Sequence, residues 1–266
     1  MKCAEYGNEK DETIVLLHGG GLAPWNYFEE AALLKEKYHI VLPVLDGHSG
    51  SDRAFTTIEE NAREIIAYID ERFGGKVLLI CGLSLGGQIL VEMLSQRRDI
   101  CKFALIESAL TVPMPMTAAL IRPALSLSYP LIRRRWFAKL QFAALRIKPS
   151  LFEAYFSAGS AIAKENMTAF LMANAGYHIK SSLQDCRAKA LVLVGGKERA
   201  LMKKSAEIIQ QSIPGSSLEI LRGYRHGELS VNHPGLYVEK IVRLMGTADA
   251  PVDRADESVP VQIEGL

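Results

Sequence analysis

The chain places a serine, two carboxylates and a histidine in an order that could carry acyl transfer. Ser84 lies within Gly82-Leu83-Ser84-Leu85-Gly86, followed by Gly87, between the apolar run Val77–Cys81 and a second apolar stretch. One or two glycines suffice for a tight turn. So many at the junction of two buried segments mean that the backbone is crowded or that the serine is being presented. A G-x-S-x-G segment on a strand-to-helix turn does both: the serine takes strained backbone angles, its neighbours two positions away must lack side chains, and the hydroxyl is left exposed above a sheet. The bare pattern is weak evidence. Preceded by "VLLIC" and followed by helical spacing over residues 88–96, it becomes specific.

A serine nucleophile needs a base, an acid that orients the base, and donors for the developing oxyanion. His226 lies in a loop between Gly223 and Gly227, soon after the β-rich run Ser217–Leu221, and is the candidate base. Two glutamates compete for the acid, because both follow Ser84 and precede His226: Glu198, just past the run Ala190–Val194, and Glu107, which ends the run Phe103–Glu107. Glu198 is favoured, since the Gly195-Gly196-Lys197 turn can aim its side chain at the histidine loop. Its plain reading is a surface glutamate between charged neighbours. The segment "VLLHGGG" ends a strand in glycines whose amides are unobstructed, so Gly20 is the first choice of oxyanion donor and Gly21 the next. The amide of Leu85, at a helix start, is the second donor. His18 reads as a loop-holding residue and His48 as part of a turn. His39 opens a strand, His233 starts a helix, and His178 belongs on the surface.

These residues need a frame. Short β-rich runs recur at residues 13–17, 39–44, 77–81, 103–107, 190–194 and 217–221, with residues 2–6 as a further candidate, and segments with helical spacing such as Ile58–Phe73 lie between them. Strands separated by helix-length crossovers imply a parallel sheet covered on both faces. About 80 residues separate Glu107 from Ala190, far more than one crossover needs. The interval 111–187 therefore reads as a helical cap, with residues 1–110 and 188–246 forming the core. Its prolines, among them Pro123 and Pro130, are expected to chop it into short helices such as Leu131–Ile147 and Lys164–Ala175. Residues 247–266 are acidic, carry two prolines and read as a disordered tail.

Composition excludes several classes. The 266 residues are 48% hydrophobic and 23% charged, ordinary for a globular protein. Lys plus Arg number 31 against 30 acids, so no global basic field suits nucleic acid. The four cysteines form no C-x-x-C pair, and no stretch is apolar enough to span a bilayer. A cytoplasmic protein with reduced thiols is the expectation. No metal or organic cofactor is implied, as neither H-E-x-x-H, Walker nor G-x-G-x-x-G signatures occur. Oligomeric state is not readable.

The segments "HGGG", "LPVLDGHSGSD", "GLSLGG", "LVLVGGKE" and "GYRHGEL" resemble those of the α/β-hydrolase superfamily in order and spacing, over about residues 1–245. The resemblance implies an α/β fold with an eight-stranded type of mostly parallel sheet flanked by helices, and a helical cap inserted after the sixth strand. It also implies that Ser84, an acid and His226 act in that order, with Glu198 at the more usual acid position and Glu107 at one that some relatives use. Two departures stand out: Glu198 replaces the commoner Asp, and Ser49 replaces a usual glycine.

The interval 111–187 holds ten Lys or Arg and three acids, about +7 against about −6 elsewhere. In "LIRRRWFAKLQFAALRIK" the residues Ile132, Trp136, Leu140, Ala143 and Ile147 would share one face of a single helix. A solvated outer face is the plain reading; contact with an anionic lipid surface and steering of an acidic substrate are the alternatives. Residues such as Met116, Phe142, Phe152, Tyr155 and Phe170 could line an acyl-sized pocket or simply pack. The resulting expectation is a serine hydrolase of a small-molecule carboxylic ester or related acyl compound. The rivals are a small-molecule sensor on the same fold, a carbon–carbon bond hydrolase and an aminopeptidase-like amidase.

Overall fold

A computed structural model describes residues 1–246; the expected tail over residues 247–266 lies outside them. In chain order the elements are β1 (Cys3–Tyr6), β2 (Thr13–Leu17), α1 (Phe28–Leu34), β3 (His39–Pro43), α2 (Ile58–Phe73), β4 (Val77–Leu83), α3 (Leu85–Gln96) and β5 (Cys101–Glu107). Four helices then follow without a strand: α4 (Pro115–Ile132), α5 (Arg135–Leu145), α6 (Phe152–Ala161) and α7 (Lys164–Gly176). The chain returns to the sheet with β6 (Lys189–Gly195), α8 (Ala200–Ser212), β7 (Ser217–Leu221), α9 (Glu228–Asn232) and α10 (Pro234–Met245).

The strands form one sheet in the order β1-β3-β2-β4-β5-β6-β7, parallel throughout except for β1, which pairs antiparallel with β3. Alternation along the strands sends apolar side chains to both faces. Val15, Leu17, Ile80 and Ile106 join one core with residues of α2 and α3, while Ile14, Leu16, Leu79 and Leu105 join another with α1 and α10. Helix α2 shows how locally such an element is specified. Thr57 accepts the Glu60 amide at its start, Gly74 ends it in the left-handed conformation, and Ile58, Ala62, Ile65 and Ile69 form the buried face.

Several expectations need correction. Among the described residues the sheet has seven strands, and the insertion follows the fifth strand instead of the sixth, because the twelve residues before β2 hold one strand and a turn. Within the insertion, Pro123 and Pro130 do not break the chain into short helices. Helix α4 runs through both, since these prolines lie on exposed turns where water can serve the carbonyls they leave unpaired. Conversely, residues 131–147 are not one helix: Arg134 is extended between α4 and α5. The face drawn through Ile132, Trp136, Leu140 and Ile147 is therefore not continuous. No helix among the described residues is long and apolar enough to cross a membrane.

The insertion is tied to the core by polar contacts. Gln88 of α3 donates to the carbonyls of Leu110 and Asn174 and accepts from the Asn174 amide side chain, and the Tyr177 hydroxyl donates to Glu92. Helix α3 itself lies against β2 and β4 with no room for a methyl group: a Cβ at Gly86 would overlap the Leu17 carbonyl oxygen, and one at Gly82 would overlap the Gly86 carbonyl. Gly86→Ala is therefore expected to cost at least roughly 2 kcal/mol in chemical denaturation. Gly159→Ala, in the last turn of α6 where an added Cβ meets nothing, should leave stability unchanged or raise it by up to about 1 kcal/mol.

Candidate active site

The carboxyl ends of β2, β4, β5, β6 and β7 converge, and each delivers one part of the site. At the end of β4 the chain turns into α3 through Ser84, which has φ 53° and ψ −110°, a conformation costly for any residue with a side chain. Its amide donates to the Glu107 carbonyl and its carbonyl accepts the Gln88 amide, so the strain is held between β5 and the first turn of α3.

Past β7, the Gly223–Gly227 loop brings His226 Nε2 to 3.0 Å from Ser84 Oγ. Past β6, Glu198 places Oε2 2.8 Å from His226 Nδ1. The other Glu198 oxygen accepts from Ser108 Oγ and from the Gly195 amide, each at 2.7 Å. Burial alone would raise this carboxyl, but the hydrogen bond and charge of His226, with the Ser108 and Gly195 donors, outweigh it and hold the group below its ordinary value. An ionised Glu198 accepts only, so Nδ1 carries the ring proton and Nε2 is left to accept the Ser84 hydroxyl proton.

Glu107 has a different environment. Its side chain is fully buried beside Ser230, yet neither Glu107 Oε2 nor Ser230 Oγ meets a hydrogen-bond partner, and Glu107 makes no bond to His226. Burial pushes its carboxyl up to about 7, more than Ser230 and the His226 charge can offset. The structure thus brings Glu198 to the imidazole and keeps Glu107 off it, although the Glu107 backbone supports the serine turn.

The glycine loop after β2 is fixed by two imidazoles. The buried His18 accepts the Leu45 amide on Nε2 at 3.2 Å, which leaves Nδ1–H to donate to the Gly19 carbonyl at 2.9 Å. His48 accepts the Gly21 amide on Nε2 at 3.0 Å and donates from Nδ1 to the Asp46 carbonyl. Burial drives both below their ordinary value, His18 to about 3 with help from the neighbouring His48, and His48 to about 4. Gly21 is consequently not an available donor, because its N–H is spent on His48. Among the described residues the amides of Gly20 and Leu85 meet no acceptor, and the two residues lie close: a Cβ at Gly20 would meet Leu85 Cβ at 3.4 Å. Phe170 of α7 stacks on the His48 ring with centroids 4.7 Å apart and borders Gly20.

A cleft of about 90 Å³ opens beside Ser84 and His226, walled by Leu22, Leu83 and Val231 of the core and by Leu145 and Ile147 of the insertion. Asn232 of α9 pins that wall, donating to the Arg146 carbonyl and accepting the Lys148 amide, both at 2.9 Å. Of the residues that could have lined a pocket, Phe142 packs on Phe152 and Tyr155 and Met116 faces outward, while Phe170 borders the glycine loop. Leu145 ends α5 and Ile147 follows its left-handed cap Arg146; neither was foreseen as part of the cleft. Ser108 was missed too. Its place beside the acid depends on the pairing of β5 with β6, and its only local signal is that it follows Glu107 at a strand end. Among the described residues no group of three His, Cys, Asp or Glu is placed to hold a metal ion.

The family model described as "Alpha/beta hydrolase family" matches residues 14–240. No curated protein matches in sequence. Among solved structures the chain is similar to a bromoperoxidase from Bacillus anthracis, at 14% identity and TM-score 0.77 over 92% of this chain and 94% of that one. It is also similar to a thermophilic esterase from Thermogutta terrifontis, at 17% identity and TM-score 0.74 over 92% and 93%, and to an enol-lactonase from Burkholderia xenovorans LB400, at 17% identity and TM-score 0.74 over 92% and 96%. At such identities the likeness is one of fold.

The buried Glu107 generates a stability prediction with a definite sign. A carboxyl raised to about 7 in the fold keeps its proton there while the unfolded chain releases it near 4.5, so stability falls as pH rises from about 4.5 through about 7, by roughly 3 kcal/mol at most. Glu107→Gln removes this term. Thermal melts should show the variant gaining on wild type more at pH 8 than at pH 5.

Proposed function

The chain belongs to the alpha/beta hydrolase family, and on that premise we propose that it is a serine hydrolase cleaving a small-molecule carboxylic ester through an acyl-enzyme. The observation that carries the reading is the unbroken hydrogen-bonded line Glu198–His226–Ser84 ending beside an apolar cleft and two free amides. In the first half-reaction Ser84 Oγ attacks the ester carbonyl carbon as its proton passes to His226 Nε2. The carbonyl oxygen, now bearing the electron pair, is received by the amides of Gly20 and Leu85, the latter at the positive end of α3. Collapse expels the alcohol, which takes the proton from His226. Water then attacks the acyl-serine with His226 as base, releasing the acid and restoring Ser84.

Glu198 holds the imidazole in the tautomer that leaves Nε2 an acceptor and stabilises the imidazolium, while Ser108 and the Gly195 amide hold Glu198. The cleft walls are aliphatic and the space is modest, which favours a short to medium apolar acyl group. The esterase and lactonase among the similar folds lean the same way. The chemistry as drawn draws on no metal or organic cofactor. On this reading the protein works in the cytoplasm, a setting in which Cys3, Cys81, Cys101 and Cys186 stay thiols.

Two experiments test the assignment. A fluorophosphonate probe should label folded wild type and fail to label Ser84→Ala; absence of label on folded wild type would turn the reading towards a ligand-binding protein. With p-nitrophenyl butyrate, Glu198→Gln should lower kcat by roughly 10³ to 10⁴ fold, whereas Glu107→Gln should stay within about tenfold of wild type. The reverse ranking would move the orienting role to Glu107.

A further inference from the structure

Helix α4 is apolar on two sides, and only one of them is covered. Its inner face, Ile121, Leu125, Tyr129 and Ile132, packs into the core beneath the insertion. Its outer face carries Met116, Leu120 and Leu127, four and then seven residues apart, which places them on one side of a helix. They are exposed by 83%, 64% and 82%. The next helix, α5, exposes Trp136 at 58% and Leu140 at 62%, again four apart. Among the described residues, every large apolar side chain more than half exposed belongs to these two consecutive helices.

The charge on the same helices has one sign. From Ser108 to Phe152 the sequence contains no acidic residue, while Arg122, the run Arg133-Arg134-Arg135, Lys139 and Arg146 all fall there. The arginine run sits where α4 passes into α5, and of its three members Arg135 pairs with Glu153 of α6. Apolar tips, an amphipathic indole and a cationic rim are the components with which a protein enters the boundary between acyl chains and anionic headgroups. A second copy of this chain is a poorer occupant. A two-fold contact would bring arginine runs together with no acid on the face to receive them.

We propose that the outer face of α4 and α5 docks the protein on an anionic bilayer surface. Of the cleft wall, Leu145 is the last residue of α5 and Ile147 lies two residues beyond it, so docking brings the mouth of the cleft to the lipid boundary. Resting on the hydrolase reading above, this makes acyl esters that partition into membranes the natural substrate class. The docking itself does not depend on that reading.

The test is co-sedimentation with vesicles of phosphatidylcholine alone and of equimolar phosphatidylcholine and phosphatidylglycerol, for wild type and for Ser84→Ala. Both proteins should bind the anionic vesicles at least about tenfold more tightly than the neutral ones, with loss of binding at high salt. A blue shift of tryptophan emission on binding should be absent in Trp136→Phe. Leu120→Asp/Leu127→Asp and, separately, Arg133→Glu/Arg134→Glu should each weaken binding about tenfold or more, with melts matching wild type. The charge pair keeps the test decisive should the apolar pair fail to fold. Absence of binding by folded wild type, or binding indifferent to both pairs, overturns the proposal. So does a dimer in sedimentation velocity that Leu120→Asp/Leu127→Asp dissolves, which would assign the face to a second copy. Because Ser84→Ala is read alongside wild type, a failed labelling experiment leaves this result standing.

Discussion

Helix α3 leaves β4 so abruptly that the Gly86 peptide rests on the Leu17 carbonyl of β2, while the Gly86 carbonyl rests on Gly82. This backbone-to-backbone contact holds Ser84 at positive φ, since the turn cannot relax without driving the helix away from both strands. The same contact gives the site its other parts. It sets Leu85 as the first residue of α3 with its amide unspent, and it brings the end of β2, and with it the glycine loop, beside that amide. The strain at one residue is thus shared among three elements of a sheet buried on both faces, where few alternatives exist.

The two glutamates show how environment, not residue type, separates roles. Glu107 ends β5 and Glu198 follows β6, and both are largely withdrawn from water. Glu198 receives three donors and stays ionised; Glu107 receives none that closes a hydrogen bond on Oε2 and is pushed towards its protonated form. A charged Glu107 next to the serine turn would compete with Glu198 for the imidazolium. With Glu107 held off the ring, Glu198 is the carboxylate bonded to His226, while the Glu107 backbone carbonyl holds the Ser84 amide.

What could be read from the sequence was what is local. The serine turn announces itself through glycines within two residues of Ser84, and α2 through its cap, its stop and its isoleucine spacing. His226 is legible as a histidine between glycines in a loop after a strand. In the sequence Glu198 is favoured over Glu107 by its turn alone, whereas the actual separation depends on which carboxyl meets a loop many residues away. Ser108 was invisible for the same reason: its partner is fixed by strand register. The insertion was the least legible part. Pro123 and Pro130 read as breaks, yet an exposed helix tolerates them, while the true break at Arg134 carries no proline or glycine at all. Gly21 read as a donor until His48, from a different turn, claimed its amide.

Phe170 belongs to α7, yet it lies flat on His48 and borders Gly20, so it roofs the loop that His48 braces from below. Asn166, one turn earlier on the same helix, takes the Phe55 amide from the core. The inserted helices and the donor loop therefore share a mechanical strut. A displacement of α7 would thus be passed through that aromatic face to His48 and Gly20.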